Sequence, residues 1–193
     1  MKSNLILAIA LSLLCFSCSN TAKTGVWNSS EGIYYIPSLN LKYQIGTENQ
    51  WLVASAEELP NKIEMFVADT DANVCIVLTH TDIQDKRRLK EYTESDVDSI
   101  VWTIIHQNEQ VKESILSKNI SQSRFLNSAA WKFDVDMIAK MDVDSVNITY
   151  SGYIFDGPDD INILIGTLST PQPHNFPDSL MQNYFTRLQP ITK

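Results

Sequence analysis

Trp131-Lys132-Phe133-Asp134-Val135-Asp136-Met137 alternates apolar and polar side chains with period two. Successive side chains of a strand point to opposite faces, so this run is a strand with its aromatic and aliphatic side against a core. Further on, Val146, Ile148, Tyr150, Gly152 and Ile154 keep the same period, Gly157-Pro158-Asp159-Asp160 reads as a turn, and Ile161 to Leu168 is the next strand. Three consecutive strands with short connections form an antiparallel meander. On the amino-terminal side, Val111 to Ile120 reads as a strand. Ile63 to Ala68 and Val74 to Thr79 flank the polar Asp69-Thr70-Asp71-Ala72-Asn73, which makes them a hairpin, and Leu39 to Ile45 is a further short strand.

The period changes between Thr93 and Gln107. Val97, Ile100, Val101, Ile104 and Ile105 fall on one face of a helix that Thr93 or Ser95 can cap. Glu94, Asp96 and Asp98 sit where they complement the positive end of the helix dipole. A closing helix is predicted from about Pro177-Asp178, presenting Leu180, Met181, Tyr184, Phe185 and Leu188. The fold class is therefore α+β, an antiparallel sheet of about six strands flanked by helices.

The amino terminus has a separate purpose. Lys2 precedes the apolar run Leu5 to Leu14, too short for the roughly 20 residues that span a bilayer and of the length of a secretory signal core. The run ends in Cys15-Phe16-Ser17-Cys18-Ser19, which resembles a bacterial lipobox with Cys18 as the lipidated residue. An ordinary cleavage site would want small residues at both recognition positions, and Cys15-Phe16-Ser17 is a poor version of it. The expected organisation is a signal peptide over 1–17, a flexible tether over 18–30 and one domain over 31–193. Ser19 after the cysteine points to the outer membrane, and the absence of an acidic cluster behind it points to the periplasmic side.

Net charge is −8, becoming −9 once Lys2 is removed, so nucleic acid and anionic lipid are poor partners. With Cys18 acylated, Cys75 alone remains, and an internal disulfide is impossible. Cys75 lies in Val74-Cys75-Ile76-Val77-Leu78, where a thiol acts as a small core hydrophobe.

The order of parts resembles the PsbP-like fold family, which includes thylakoid-lumen PsbP proteins, a eukaryotic Ran-binding protein and many small bacterial lipoproteins. The resemblance rests on Tyr43-Gln44-Ile45 before Trp51, the Met65-Phe66-Val67-Ala68 strand, the mid-chain helix, the Tyr150 to Leu168 hairpin and Tyr184-Phe185-Thr186-Arg187-Leu188. It implies an antiparallel sheet flanked by helices and a family that binds or assembles with other proteins. It carries over no functional residue.

No constellation of catalytic type stands out. Asp69-Thr70-Asp71-Ala72-Asn73 begins like a calcium loop, but Val74 takes the place of the required Gly and His80 that of the bidentate Glu. Asp134/Asp136 and Asp142/Asp144 form two carboxylate pairs, the first on the face opposite Phe133 and Val135, where water screens it. His80, His106 and His174 have no partner at metal-ligand spacing, and no P-loop, G-x-S-x-G or G-x-G-x-x-G occurs. No metal or cofactor is expected. Among Trp27, Trp51, Trp102 and Trp131, Trp102 sits at the edge of the apolar stripe of its helix, which makes it the candidate partner contact. The sequence thus points to a membrane-anchored envelope lipoprotein with a non-catalytic domain that binds a protein partner. A carrier or sensor of a small apolar or lipid ligand is the alternative, and a hydrolase would need dispersed histidines to converge.

Overall fold

The computed structural model describes residues 25–45, 50–54, 59, 62–80, 87–106, 112–141, 144–158, 160–170 and 179–191. The strands are β1 (Val26–Asn28), β2 (Ile33–Ile36), β3 (Leu41–Gln44), β4 (Trp51–Val53), β5 (Ile63–Asp69) and β6 (Val74–His80), then, after a helix, β7 (Lys112–Phe125), β8 (Ser128–Met141), β9 (Asp144–Asp156) and β10 (Ile161–Thr170), with β11 (Leu188–Pro190) at the end. Helix α1 (Glu94–Ile105) lies between β6 and β7, and α2 (Ser179–Phe185) between β10 and β11. The larger sheet has the order β4-β5-β6-β10-β9-β8-β7 and the smaller β1-β2-β3-β11, and every pairing within them is antiparallel.

The meander is present as read. In β8 and β9, Trp131, Phe133, Val135 and Met137 stand opposite Ile154, Gly152, Tyr150 and Ile148, and these four β8 side chains are buried. Phe133 lies over Gly152, where an added Cβ would come within 2.2 Å of the Leu164 carbonyl oxygen and 2.5 Å of the Phe133 ring.

Two cores explain the hydrophobic patterns. One, on the α1 side of the large sheet, gathers Phe66, Cys75, Val77, Val97, Val101, Phe133, Val135, Ile163 and Ile165. The other, on the opposite side, joins Met65, Val67, Ile76, Leu78 and Leu164 to Tyr34, Ile36 and Tyr43 of the small sheet and to Met181 and Phe185 of α2. Strands β5, β6 and β10 therefore bury both faces, which is why Val74 to Leu78 and Ile161 to Ile165 are almost unbroken apolar runs. Strand β8 is apolar on the α1 side along its length and alternates.

Three expectations change. There are eleven strands in two sheets among the described residues instead of about six in one, because β1, β2, β4 and β11 have three or four residues, too few to display a period. The small sheet takes in Val26–Asn28, which fell within the expected tether and which pairs with Ile33–Tyr35. Leu188 belongs to β11, opposite Tyr43, instead of to the closing helix, which stops at Phe185. The turn between β5 and β6 is tied by the Asp69 carboxylate, whose Oδ1 accepts from the backbone N–H of Asp71 and of Ala72 at 3.1 Å.

Helix α1 begins in a capping box. The Thr93 hydroxyl accepts from the Asp96 amide, and the Asp96 carboxylate accepts from the Thr93 N–H at 2.7 Å. Hydrogen bonding from Arg87, then from the backbone and hydroxyl of Thr93, lowers the Asp96 pKa from an ordinary 3.8 to about 2.

Two tests follow. Gly152→Ala should destabilise the fold by about 3 kcal/mol, since backbone as well as a ring must give way, and urea unfolding measures this as a lower midpoint. For Asp96→Asn, stability carried by the ionised carboxylate is complete above pH 3.8 and lost as pH falls through about 2. The variant should therefore melt below wild type at neutral pH, with the gap closing between pH 4 and 2 in a thermal-unfolding series.

Candidate functional site

The side of the large sheet farthest from β4 ends in β7, which pairs with β8 and, among the described residues, with no other strand. Its register with β8 shifts between Ile115, opposite Met137, and Ser117, opposite Asp136, so Leu116 is a bulge residue. Leu116 is 59% exposed and Ile115 37%.

Helix α1 packs against this strand, and Lys118 of β7 forms an ion pair with Asp98. Trp102 stands one turn beyond Asp98. The helix ends at Ile105 and β7 begins at Lys112, so the helix runs from Lys118 toward the Leu116 end of the strand. Trp102 is 51% exposed, and its ring stacks on His106 with centroids 3.3 Å apart and 23° between planes. The His106 Nδ1 lies 3.1 Å from the Trp102 carbonyl oxygen, which fixes the second ring against the helix end. Among the described residues the exposed large apolar side chains are Val26, Leu52, Trp102, Ile115 and Leu116, and three of these five lie on α1 and β7, two elements that pack together. A rigid exposed indole on a helix packed against a strand that exposes aliphatic side chains has the composition of a protein contact.

Sequence reasoning named Trp102 as the candidate contact and did not single out Ile115 and Leu116, which the structure also leaves exposed. The signal was there: two adjacent aliphatic residues interrupt the Ser/Lys/Asn/Gln composition of the strand and break its period.

Other sequence candidates occupy structural positions. Asp134 and Asp136 lie on the face away from Phe133, half-buried, and are taken up across the sheet. Ser117 and Thr149 hydroxyls donate to the two oxygens of Asp136 at 2.7 Å each, while Ser151 donates to Asp134, whose other oxygen is 3.0 Å from Lys132 Nζ. Asp142, His174 and Cys18 lie outside the described residues, as does the side chain of Asp144. His80 sits at the end of β6 with its Nδ1 3.6 Å from Glu64 Oε1, on a different element from His106. Among the described residues, no group of three His, Cys, Asp or Glu side chains is placed to hold a metal ion. Cys75 is buried in the α1-side core, which pushes its thiol pKa up to about 12.

On the other side of the large sheet, the Tyr184 hydroxyl donates to Oδ2 of the fully buried Asp69 at 2.8 Å, and Arg187 lies over the rings of Trp51 and Tyr184 at 5.4 and 5.7 Å. This cluster fastens α2 and β11 to the sheet. A cleft of about 260 Å³ opens where the β7–β8 turn meets the small sheet, between Leu39, Leu41, Phe125, Leu126, Phe155 and Pro190.

With this geometry, the chain has a PsbP-like fold. It is similar over 91% of its length to the solution structure of cyanobacterial PsbP (CyanoP) from Synechocystis, covering 98% of that chain with a TM-score of 0.51 and 10% identity. That likeness establishes the fold and nothing finer. Likenesses that carry less appear to the Ran-binding protein Mog1p of Saccharomyces cerevisiae (TM-score 0.45, 12% identity, 89% of this chain and 97% of that one) and to LpqN of Mycobacterium tuberculosis, a protein involved in cell envelope biogenesis (TM-score 0.37, 8% identity, 76% of each chain). No protein-family model matches the chain, and no curated protein matches it in sequence.

Because the thiol is buried and held protonated, Cys75 should resist alkylation by iodoacetamide at mildly alkaline pH in the folded protein and react on addition of denaturant. Mass spectrometry of the peptide containing Cys75 reports both states.

Proposed function

We propose that this chain is a lipoprotein of the bacterial cell envelope, anchored through Cys18 to the periplasmic face of the outer membrane, and that its PsbP-like domain docks a protein partner without catalysing a reaction. The observation that carries the docking is the corner of Trp102, Ile115 and Leu116, where an acidic domain with two packed cores leaves three large apolar side chains in water. Exposed apolar residues scattered singly need no explanation, whereas three on two elements packed together mark a candidate contact. The anchor rests on the apolar run Leu5 to Leu14 followed by Ser17-Cys18. Acyl chains contribute roughly 0.8 kcal/mol per buried methylene, and more than one chain makes the hold durable.

Carriage of a small apolar or lipid ligand is the second reading, and the cleft beside Leu126 is what it has to rest on. At about 260 Å³ and open to solvent, that cleft is smaller than the roughly 300–1,000 Å³ of typical ligand sites. The exposed corner is the stronger feature.

Two measurements test the proposal. Cys18→Ser should move the protein from the membrane to the soluble fraction, and a variant that still sediments with membranes would remove the anchor. Capture from membranes in mild detergent should return a partner that is lost on Trp102→Ala, while the melting temperature of that variant stays within about 2 °C of wild type, since Trp102 is half in solvent. A partner retained by Trp102→Ala would place docking elsewhere, and native mass spectrometry showing a bound lipid would favour the carrier.

A further inference from the structure

The corner at Trp102 continues into a feature of the backbone. Strand β7 has 14 residues and forms one margin of the large sheet, whereas the opposite margin, β4, has three. From Ser117, opposite Asp136, to Phe125, opposite Ser128, its register with β8 is unbroken. Among the described residues, the alternate N–H and C=O groups on its outer side therefore form a regular row about 30 Å long with no strand against them. Long open margins of this kind are ordinarily shortened, bulged or covered, because they template pairing with another chain. Here the bulge sits at Leu116, near one end, and leaves an exposed aliphatic side chain there instead of interrupting the row.

We infer that the outer margin of β7 is a strand-addition site for an extended segment of a partner polypeptide that carries acidic and aliphatic residues on one face. The inference rests on the docking reading above and specifies its geometry. Charge selects the occupant. Between Ser114 and Phe125 the strand carries two cations, Lys118 and Arg124, and no acidic residue, within a chain of net charge −8. Lys118 already shares its charge with Asp98, and Arg124 stands exposed. Lys118 and Ile120 stand opposite Val135 and Phe133, so they lie on the α1 side, where Trp102 also lies. Ser117, Asn119, Ser121 and Ser123 occupy the other side. An added strand would thus set aliphatic side chains against Trp102, Leu116 and Ile120, acidic ones near Lys118 and Arg124, and small polar ones on its second face. A second copy of this chain is the poorer occupant, since it would bring cation-bearing strands together and two acidic domains with them.

The test uses the full chain in detergent micelles and two synthetic probes, acetyl-Glu-Thr-Val-Thr-Val-Thr-Glu-Thr-Ile-amide and its analogue with Lys in place of Glu. Amide hydrogen exchange is followed by NMR. The acidic probe should bind about tenfold more tightly than the Lys probe, although the protein as a whole repels it. It should also slow exchange at every second amide of residues 117–125. Backbone N-methylation of one alternate set of probe residues should abolish binding, and of the other set should leave it intact, because only one set faces the strand. Equal binding of the two probes, no binding, protection away from β7, or indifference to N-methylation would overturn the inference. So would β7 protection that rises with protein concentration alone, which would identify a second copy as the occupant. Failure of the probes alongside a captured partner that depends on Trp102 would discard strand addition and leave docking standing.

Discussion

Burial on both faces of β5, β6 and β10 is the constraint from which the other parts take their positions. These three adjacent strands send Phe66, Cys75, Val77 and Ile165 to one side and Met65, Val67, Ile76 and Leu164 to the other. Each such side chain left in water would forfeit about 1.5–3 kcal/mol, so neither layer of cover is dispensable. Helix α1 covers the first side with Val97, Val101 and Ile104, and the small sheet with α2 covers the second. Close approach is arranged where it is needed: at Gly166, an added Cβ would come within 2.3 Å of Met181 and 3.0 Å of Phe185 of α2.

Polar groups then fix how the layers sit. Asp69 is fully buried, and its two oxygens take the turn amides of Asp71 and Ala72 on one side and the Tyr184 hydroxyl on the other, so one carboxylate closes the β5–β6 hairpin and holds α2. A buried carboxylate is tolerable because its lone pairs are occupied. Across β7, β8 and β9, the Ser117-Asp136-Thr149 chain links three strands at one level. A slip by one residue would separate those groups and turn Val135 and Met137 outward, so the polar pattern and the apolar pattern demand the same register.

The legible parts of the fold were those long enough to show a period or sharp enough to show a cap. Strand β8 announced itself through Trp131 to Met137, and α1 through its apolar stripe and Thr93, which does cap it. The small sheet was largely illegible because its strands have three or four residues and their pairing is set by distant partners, as when Leu188 finds Tyr43. At the candidate site, the position of Trp102 on its helix was enough to place it at the rim. That β7 is the outermost strand is a property of the sheet order, which no local pattern in Lys112–Phe125 encodes.

The strand at Val26–Asn28 also decides how the domain faces whatever holds its amino end. Strand β1 belongs to the small sheet, the layer on the far side of the large sheet from α1. The chain therefore enters at Gly25, packed near Tyr34 and the Glu64 carbonyl, on the side of the molecule away from Trp102. Eight residues from Cys18 to Gly25 reach at most about 28 Å when extended. With the anchor proposed at Cys18, a leash that short, attached at the back, would keep the small sheet toward the lipid and turn the indole and the open margin of β7 outward, into the space where other proteins diffuse.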